Sequence, residues 1–194
     1  AYVLTGNIVL SLMFENQDKV AGHFAFMRLN GTLNYFSTLP IQKHALILAV
    51  VGTFLLMSLP SLVVTIVLGS LLLGIPVTVS PALLLVVPVC AASMAGVGAL
   101  IGTSVPIPQH AGSISLLVAF LMLGLGPVVI PPDRLPGVVL FLGRFSPAPY
   151  AASAMRQALL GPLTGQIVLD LGALLGFTII TFWLVGRKMD WRQN

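Results

Sequence analysis

From Ala45 to Leu73 the chain reads "ALILAVVGTFLLMSLPSLVVTIVLGSLLL", without one ionisable side chain. A helix needs about 20 predominantly apolar residues to cross the hydrocarbon core of a bilayer, and this run is longer than that. The surplus permits a tilt or a kink, and Pro60 in the middle removes one helix hydrogen bond where a kink would form. Three more such runs follow, at about Ala82–Thr103, Ser113–Ile130 and Gln166–Gly186. The chain is 57% hydrophobic and 7% charged, whereas a soluble domain carries about 25% charged residues. A core of this size cannot hide so many aliphatic side chains, so part of the solvent must be lipid. The expected fold is an all-α integral membrane protein, a polytopic helix bundle.

The opening run "AYVLTGNIVLSLMF", residues 1–14, is too short to span alone. It has no basic leader and no small-residue cleavage site, so it does not read as a signal peptide. We read it as part of a span whose start lies before Ala1, in a single transmembrane domain truncated at its N-terminus.

Cationic residues gather on the cytoplasmic side of membrane spans. Lys19, Arg28 and Lys43 follow the partial span, and Arg187, Lys188 and Arg192 follow the last one. Alternating spans put both groups, with His110, on one side; Arg134, Arg144 and Arg156 fall on the other. The expected placement is therefore a cell membrane, multi-pass, with the C-terminus cytoplasmic. Trp183 and Trp191 near the tail suit an interfacial anchor.

Several chemistries are excluded. A phosphate-binding loop needs a glycine-rich turn ending in Lys-Ser/Thr, and "GPLTGQ" has no lysine. His23, His44 and His110 are scattered, so no metal site is expected, and the lone Cys90 sits in an apolar run as a small hydrophobe. The thin spread of cations does not make a nucleic-acid surface. Ser113 lies three residues after His110, but it reads as the N-cap of a span rather than a nucleophile. Asp170 is the exception inside a span; intramembrane acids are functional candidates by default, and the plain alternative is an interfacial residue paired with Arg156. Gly98 and Gly102, and Gly172 and Gly176, stand four apart, the spacing that lets helices approach closely.

The segment "FMRLNGTLNYFSTLPIQKH" breaks the apolar pattern. Val20, Phe24 and Met27 share one helical face, Gly31-Thr32 should break and restart the helix, and Pro40 should end it before the next span. Such a segment either rests on lipid or docks a cytoplasmic partner.

Here the residues resemble a family. "RLNGTLNYFSTLPIQKHALILA" is similar to the segment of ABC-2 type transporter permeases with a charged pair, Gly-Thr-Leu, a proline and then a long span; "FSPAPYAASAMRQALLG" resembles the same family's second signature before the last helix. The acidic residues that commonly flank the arginine in the family are replaced by Met27, Leu29 and Asn30, which implies an altered groove on the partner. The resemblance implies a membrane subunit that works with a second permease and a separate or fused nucleotide-binding ATPase subunit. The chain itself would bind no cofactor and catalyse nothing; ATP and Mg would sit on the partner. Residues 15–43 would form the cytoplasmic coupling segment, with Arg28, Gly31, Thr32 and Leu33 passing the ATPase motion to the spans. Residues 131–165 would be a re-entrant external stretch, with Pro147, Tyr150 and Arg156 as an external gate. The low charge of the spans favours export of a hydrophobic or amphipathic compound, drug-like or lipid-like, with Thr53, Ser58 and Asp170 as pathway candidates. The alternative is a secondary carrier or channel not driven by ATP.

Overall fold

The computed structural model describes residues 2–38, 43–74 and 80–188. Pro40, residues 75–79 and the tail with Trp191 and Arg192 lie outside the described residues. Helix α1 (Tyr2–Leu12) passes through a π-helical turn at Met13–Asp18 into α2 (Lys19–Leu29). The backbone stays helical at both joints, with φ/ψ of −62/−35 at Leu12 and −63/−40 at Lys19. Hydropathy falls after Phe14, but the helix does not stop there. It runs unbroken for about 40 Å at ~1.5 Å per residue. Within the π turn, Asn16 Nδ2 donates to the Leu12 carbonyl oxygen at 3.2 Å, so a side chain engages an acceptor of the backbone ladder.

Asn30 and Gly31 end α2. Gly31 sits at φ 69°, ψ 8°, a left-handed conformation that costs glycine little and side-chain-bearing residues more. A short helix α3 (Thr32–Ser37) leaves from it. Helix α4 (Lys43–Leu73) is helical through Pro60. Next come α5 (Leu83–Ser104), α6 (Pro108–Gly124), a 3₁₀ turn at Pro132–Arg134, α7 (Gly137–Gly143), α8 (Pro147–Leu160) and α9 (Gln166–Lys188). There is no strand among the described residues.

Helix α6 begins and ends earlier than the apolar run at 113–130 suggests. Pro108 takes the first helical position after an extended Ile107, as its fixed φ favours. The helix stops before Gly126-Pro127, because the residue preceding a proline is pushed out of the helical region. Ser113 is therefore inside the helix, donating to the Gln109 carbonyl oxygen at 3.1 Å, and is not its N-cap. Val128 is fully buried in the loop that follows.

Among the described residues, three helices are long and apolar enough to cross a membrane, at Ala45–Leu72, Leu83–Ser104 and Gln166–Lys188. Of their apolar windows, 56% of the middle one is buried, against 28% and 17% of the others. So α5 is the centre of the bundle, and α4 and α9 flank it. One cluster joins α1, α5 and α8 through Leu4, Ile8, Met94 and Met155; the other joins α2, α4 and α5 through Phe24, Ile47 and Ala95. The outer faces of α4 and α9 expose Leu56, Leu68, Leu71, Val168, Leu169 and Ile179. A contiguous apolar surface on this scale belongs against lipid or protein.

Glycine explains how closely α5 is approached. A methyl on Gly98 would stand 2.9 Å from the Gln17 carbonyl carbon, and one on Gly102 2.8 Å from Phe24 Cβ. Gly172 and Gly176 have the same spacing, yet nothing lies within 4 Å of where their methyls would be.

Candidate functional site

The two ends of the bundle carry different chemistry. One end holds the C-termini of α2, α5 and α9. Arg28 Nη1 donates to the Thr103 carbonyl oxygen at 2.8 Å, tying α2 to the last turn of α5, where a cation also complements the helix dipole. Lys188 Nζ donates to Ser104 Oγ at 2.9 Å, tying α9 to the same point. The corner itself is made by Gly31. Inward, Val20, Phe24 and Met27 are buried, with Leu33 and Phe36 packed against them. Outward, Phe26, Leu29 and Tyr35 are 54%, 61% and 64% exposed, a large apolar surface at a polar end. Arg28, Gly31, Thr32 and Leu33 are thus brought together at one corner.

The opposite end opens as a cavity of about 720 Å³. Its walls come from the start of α1, the loop before α7, α7 itself, α8 and the start of α9. Ser146 caps α8, its hydroxyl accepting from Ala148 N–H at 3.4 Å, and Pro147 occupies the first turn, buried. From this fixed start α8 projects Tyr150, Ser153, Arg156 and Gln157 into the cavity. Tyr150 Oη donates to the Arg144 carbonyl oxygen at 3.1 Å, closing the α7–α8 corner. The Arg156 guanidinium lies 3.7 Å above the Tyr2 ring, a cation–π contact across to α1.

Asp170 is 4% exposed. Its pairing with Arg156, expected from sequence, is replaced by a hydrogen bond: Gln157 Nε2 donates to Asp170 Oδ2 at 3.1 Å. Among the described residues Arg156 makes no ion pair with Asp170 within 4.0 Å; Lys19 and Glu15 form the ion pair seen there. The physical reason is the Tyr2 ring, which holds the guanidinium on the α1 side. Gln157 is fixed in turn, its Oε1 accepting from Thr164 N at 3.2 Å and Thr164 Oγ1 at 2.7 Å. Gln157→Leu would remove this donor from the buried Asp170 carboxylate and leave it the Ser153 hydroxyl. The expected loss is about 1.5 kcal/mol, the worth of one hydrogen bond to a charged group, read as a lowered unfolding midpoint in detergent. An unchanged midpoint would show that the network does not form.

Thr53 and Ser58 stand apart from this cavity. Thr53 is exposed on α4 and donates to the Ala49 carbonyl oxygen at 2.8 Å; Ser58 is buried and donates to the Leu55 carbonyl oxygen at 2.8 Å. Both hydroxyls are satisfied within their own helix. Sequence reasoning missed Tyr2, Arg144 and Gln157, which line the cavity with Arg156 and Asp170. Only the chemical type of Gln157, a polar residue one position after a recognised arginine, could have hinted at it. It also missed the π turn, where Gln17 is fully buried and its Nε2 donates to the Ser115 carbonyl oxygen at 3.0 Å. Burial pushes the neighbouring Asp18 carboxyl above its ordinary value, with Ser115 partly opposing the shift.

Residues 3–160, from the first turn of α1 to the last residue of α8, match the family model for the ABC-2 type transporter. The chain belongs to the ABC-2 type transporter family. It is accordingly a membrane protein and a permease component, and its family's role is transport rather than catalysis. Both clusters described above, the Gly31 corner and the cavity-lining face of α8, fall within the matched ABC-2 segment, while α9 with Asp170 falls after it. No curated protein and no solved structure matches the chain.

Proposed function

We propose that this ABC-2 permease is the membrane subunit of an ATP-driven exporter, working with a second permease and with nucleotide-binding subunits that hold ATP and Mg. The observation that carries the reading is the Gly31 corner. It exposes Phe26, Leu29 and Tyr35 while its inner face is locked onto α5. An apolar ridge on a short rigid turn is suited to a groove on a partner, and it is the handle through which an ATPase would move the spans.

The route of the movement follows from the helices. A push on the corner acts on Thr103 and the end of α5 through Arg28. It also acts along the unbroken helix from Leu29 to Tyr2, whose ring underlies Arg156 in the cavity. The ATP-bound and ATP-free partner need only favour different positions of this helix for the two ends to be coupled. In this arrangement Pro147, Tyr150 and Arg156 are the external gate, and the C-terminus lies in the cytoplasm of a cell with the permease in its plasma membrane. The cargo is hydrophobic or amphipathic, since the faces of α4 and α9 offer apolar side chains almost throughout.

The test is gentle purification of the full-length protein from its native membrane, with mass spectrometry of what accompanies it. A stoichiometric subunit carrying a phosphate-binding loop, lost when Arg28–Leu33 is scrambled, is the expected result. A homo-oligomer without any phosphate-binding loop, in the chain or its companions, would overturn the reading in favour of a carrier not driven by ATP.

A further inference from the structure

We propose that the far-end cavity binds a zwitterionic head group, its anionic part on Arg156 and its ammonium on Asp170. The inference deepens the permease reading by naming a ligand class, and it rests on that reading only for the ligand's role as cargo. Four observations carry it. The cavity, about 720 Å³, is of the size that holds small ligands, ~300–1,000 Å³. Arg156 and Asp170 both line it, yet no ion pair joins them within 4.0 Å. Two opposite charges that face one cavity without touching leave a gap that a ligand bearing both opposite charges can bridge.

Each group also has capacity left for a ligand, and each is held in place. Arg156 Nε is buried without a hydrogen-bond partner among the described residues, so the donors open to a ligand are the Nη groups, whose one bond, Nη2 to the Pro127 carbonyl oxygen at 3.5 Å, is long. Stacking on Tyr2 fixes its plane without using a donor. Gln157, itself anchored by Thr164, fixes the Asp170 carboxylate. An anion alone would meet Asp170, and a cation alone would meet Arg156. Arg144, exposed at the mouth, adds a second cation and so favours a phosphate over a carboxylate. Tyr2, Leu140, Tyr150 and the prolines supply apolar wall. The shared chemistry is a phosphate with an ammonium a few bonds away, whether on a lipid or on a water-soluble zwitterion.

The experiment is equilibrium binding to the full-length protein in a maltoside detergent. The probes are dihexanoyl phosphatidylethanolamine, its N-acetyl form (which keeps the phosphate and loses the ammonium), water-soluble phosphoethanolamine and inorganic phosphate. Wild type should bind the zwitterionic lipid about tenfold more tightly than the N-acetyl form, the loss expected for one charge-assisted hydrogen bond. Asp170→Asn should bring the two lipids to within about twofold of each other, a crossover that general damage would not produce. Arg156→Gln should weaken both lipids about tenfold, and Arg156→Lys should fall between. Phosphoethanolamine binding with the same preference over phosphate would assign a soluble zwitterion, and lipid binding alone would assign a membrane source. Equal binding of the two lipids by wild type, a preference that survives Asp170→Asn, or inorganic phosphate binding as tightly as either zwitterion would each overturn the proposal. If Arg156→Gln does not fold, the Asp170→Asn crossover decides. Absence of any phosphate-binding loop from the full-length chain and its companions overturns the ATP-driven reading while leaving these binding results intact.

Discussion

Gly98→Ala and Gly102→Ala should each lower the stability of the bundle sharply, while Gly172→Ala and Gly176→Ala should leave the fold of a single chain unchanged or slightly stabilised. All four substitutions add the same methyl to a helical glycine, and all four sit in a pair spaced by four. The methyl at Gly98 would overlap the Gln17 carbonyl oxygen and stand 3.0 Å from Gln17 Cα; at Gly102 it would overlap the Ala21 carbonyl oxygen. These are backbone atoms of the π turn and α2, and they cannot rotate aside as a side-chain tip can. Relief requires α5 and the long first helix to move apart, which opens the cluster around Phe24 and Ala95. Overpacking of this kind costs about 1–3 kcal/mol, and the rigid neighbours place each variant toward the upper bound, about 3 kcal/mol before the helix-propensity gain of ~1 kcal/mol. At Gly172 and Gly176 the methyl meets open space, so only the propensity gain remains. The measurement is the thermal midpoint of the purified protein in detergent. Equal shifts in the two pairs would show that α5 and α2 are not in backbone contact.

The same two pairs show what the sequence could and could not disclose. Spacing identified both as capable of close packing, but spacing does not say which face of a helix meets a neighbour. That depends on where the first helix lies, and its course was hidden because hydropathy fades after Phe14 while the helix continues through Asn16, Gln17 and Asp18. A buried polar turn looks like a surface segment when only composition is read. The large apolar runs were legible because lipid imposes length and polarity directly, and α4, α5 and α9 follow them closely. The run before Pro131 misled in part, since Gly126-Pro127 ends α6 for a backbone reason that hydropathy does not register. Among site residues, the corner at Gly31 was readable because a break and a restart leave local marks. The cavity was not, because Tyr2 and Arg156 meet only in the folded chain.

If the Gly31 corner docks an ATPase as proposed, Gly31→Val should uncouple the two while sparing the permease's abundance, and Gly31→Asn should restore most of the coupling. Gly31 is held at φ 69°, and no heavy atom lies within 4 Å of where its Cβ would stand. Space is therefore no obstacle, and the effect of substitution is backbone strain alone. A β-branched residue in the left-handed region is strained by about 1–2 kcal/mol, whereas asparagine visits that region with little penalty. The strain is small against the whole fold, and the corner sits at the end of the bundle, so the protein should accumulate normally. The corner can relieve the strain by turning α3 away from α2, which alters the outward presentation of Tyr35 relative to Phe26 and Leu29. If the ATPase engages that ridge, the docking-competent arrangement loses the same 1–2 kcal/mol, a fall of roughly 5- to 30-fold in its population. The readout is ATP-driven transport in vesicles containing permease and ATPase, normalised to permease content. Equal transport by the Val and Asn variants would remove the left-handed turn from the transmission path. A fall in Val that Asn rescues separates backbone geometry from side-chain size at this position, because Asn adds a side chain of comparable size and longer reach yet tolerates the turn. That contrast ties the mechanical role to the conformation of one glycine rather than to the bulk of the corner.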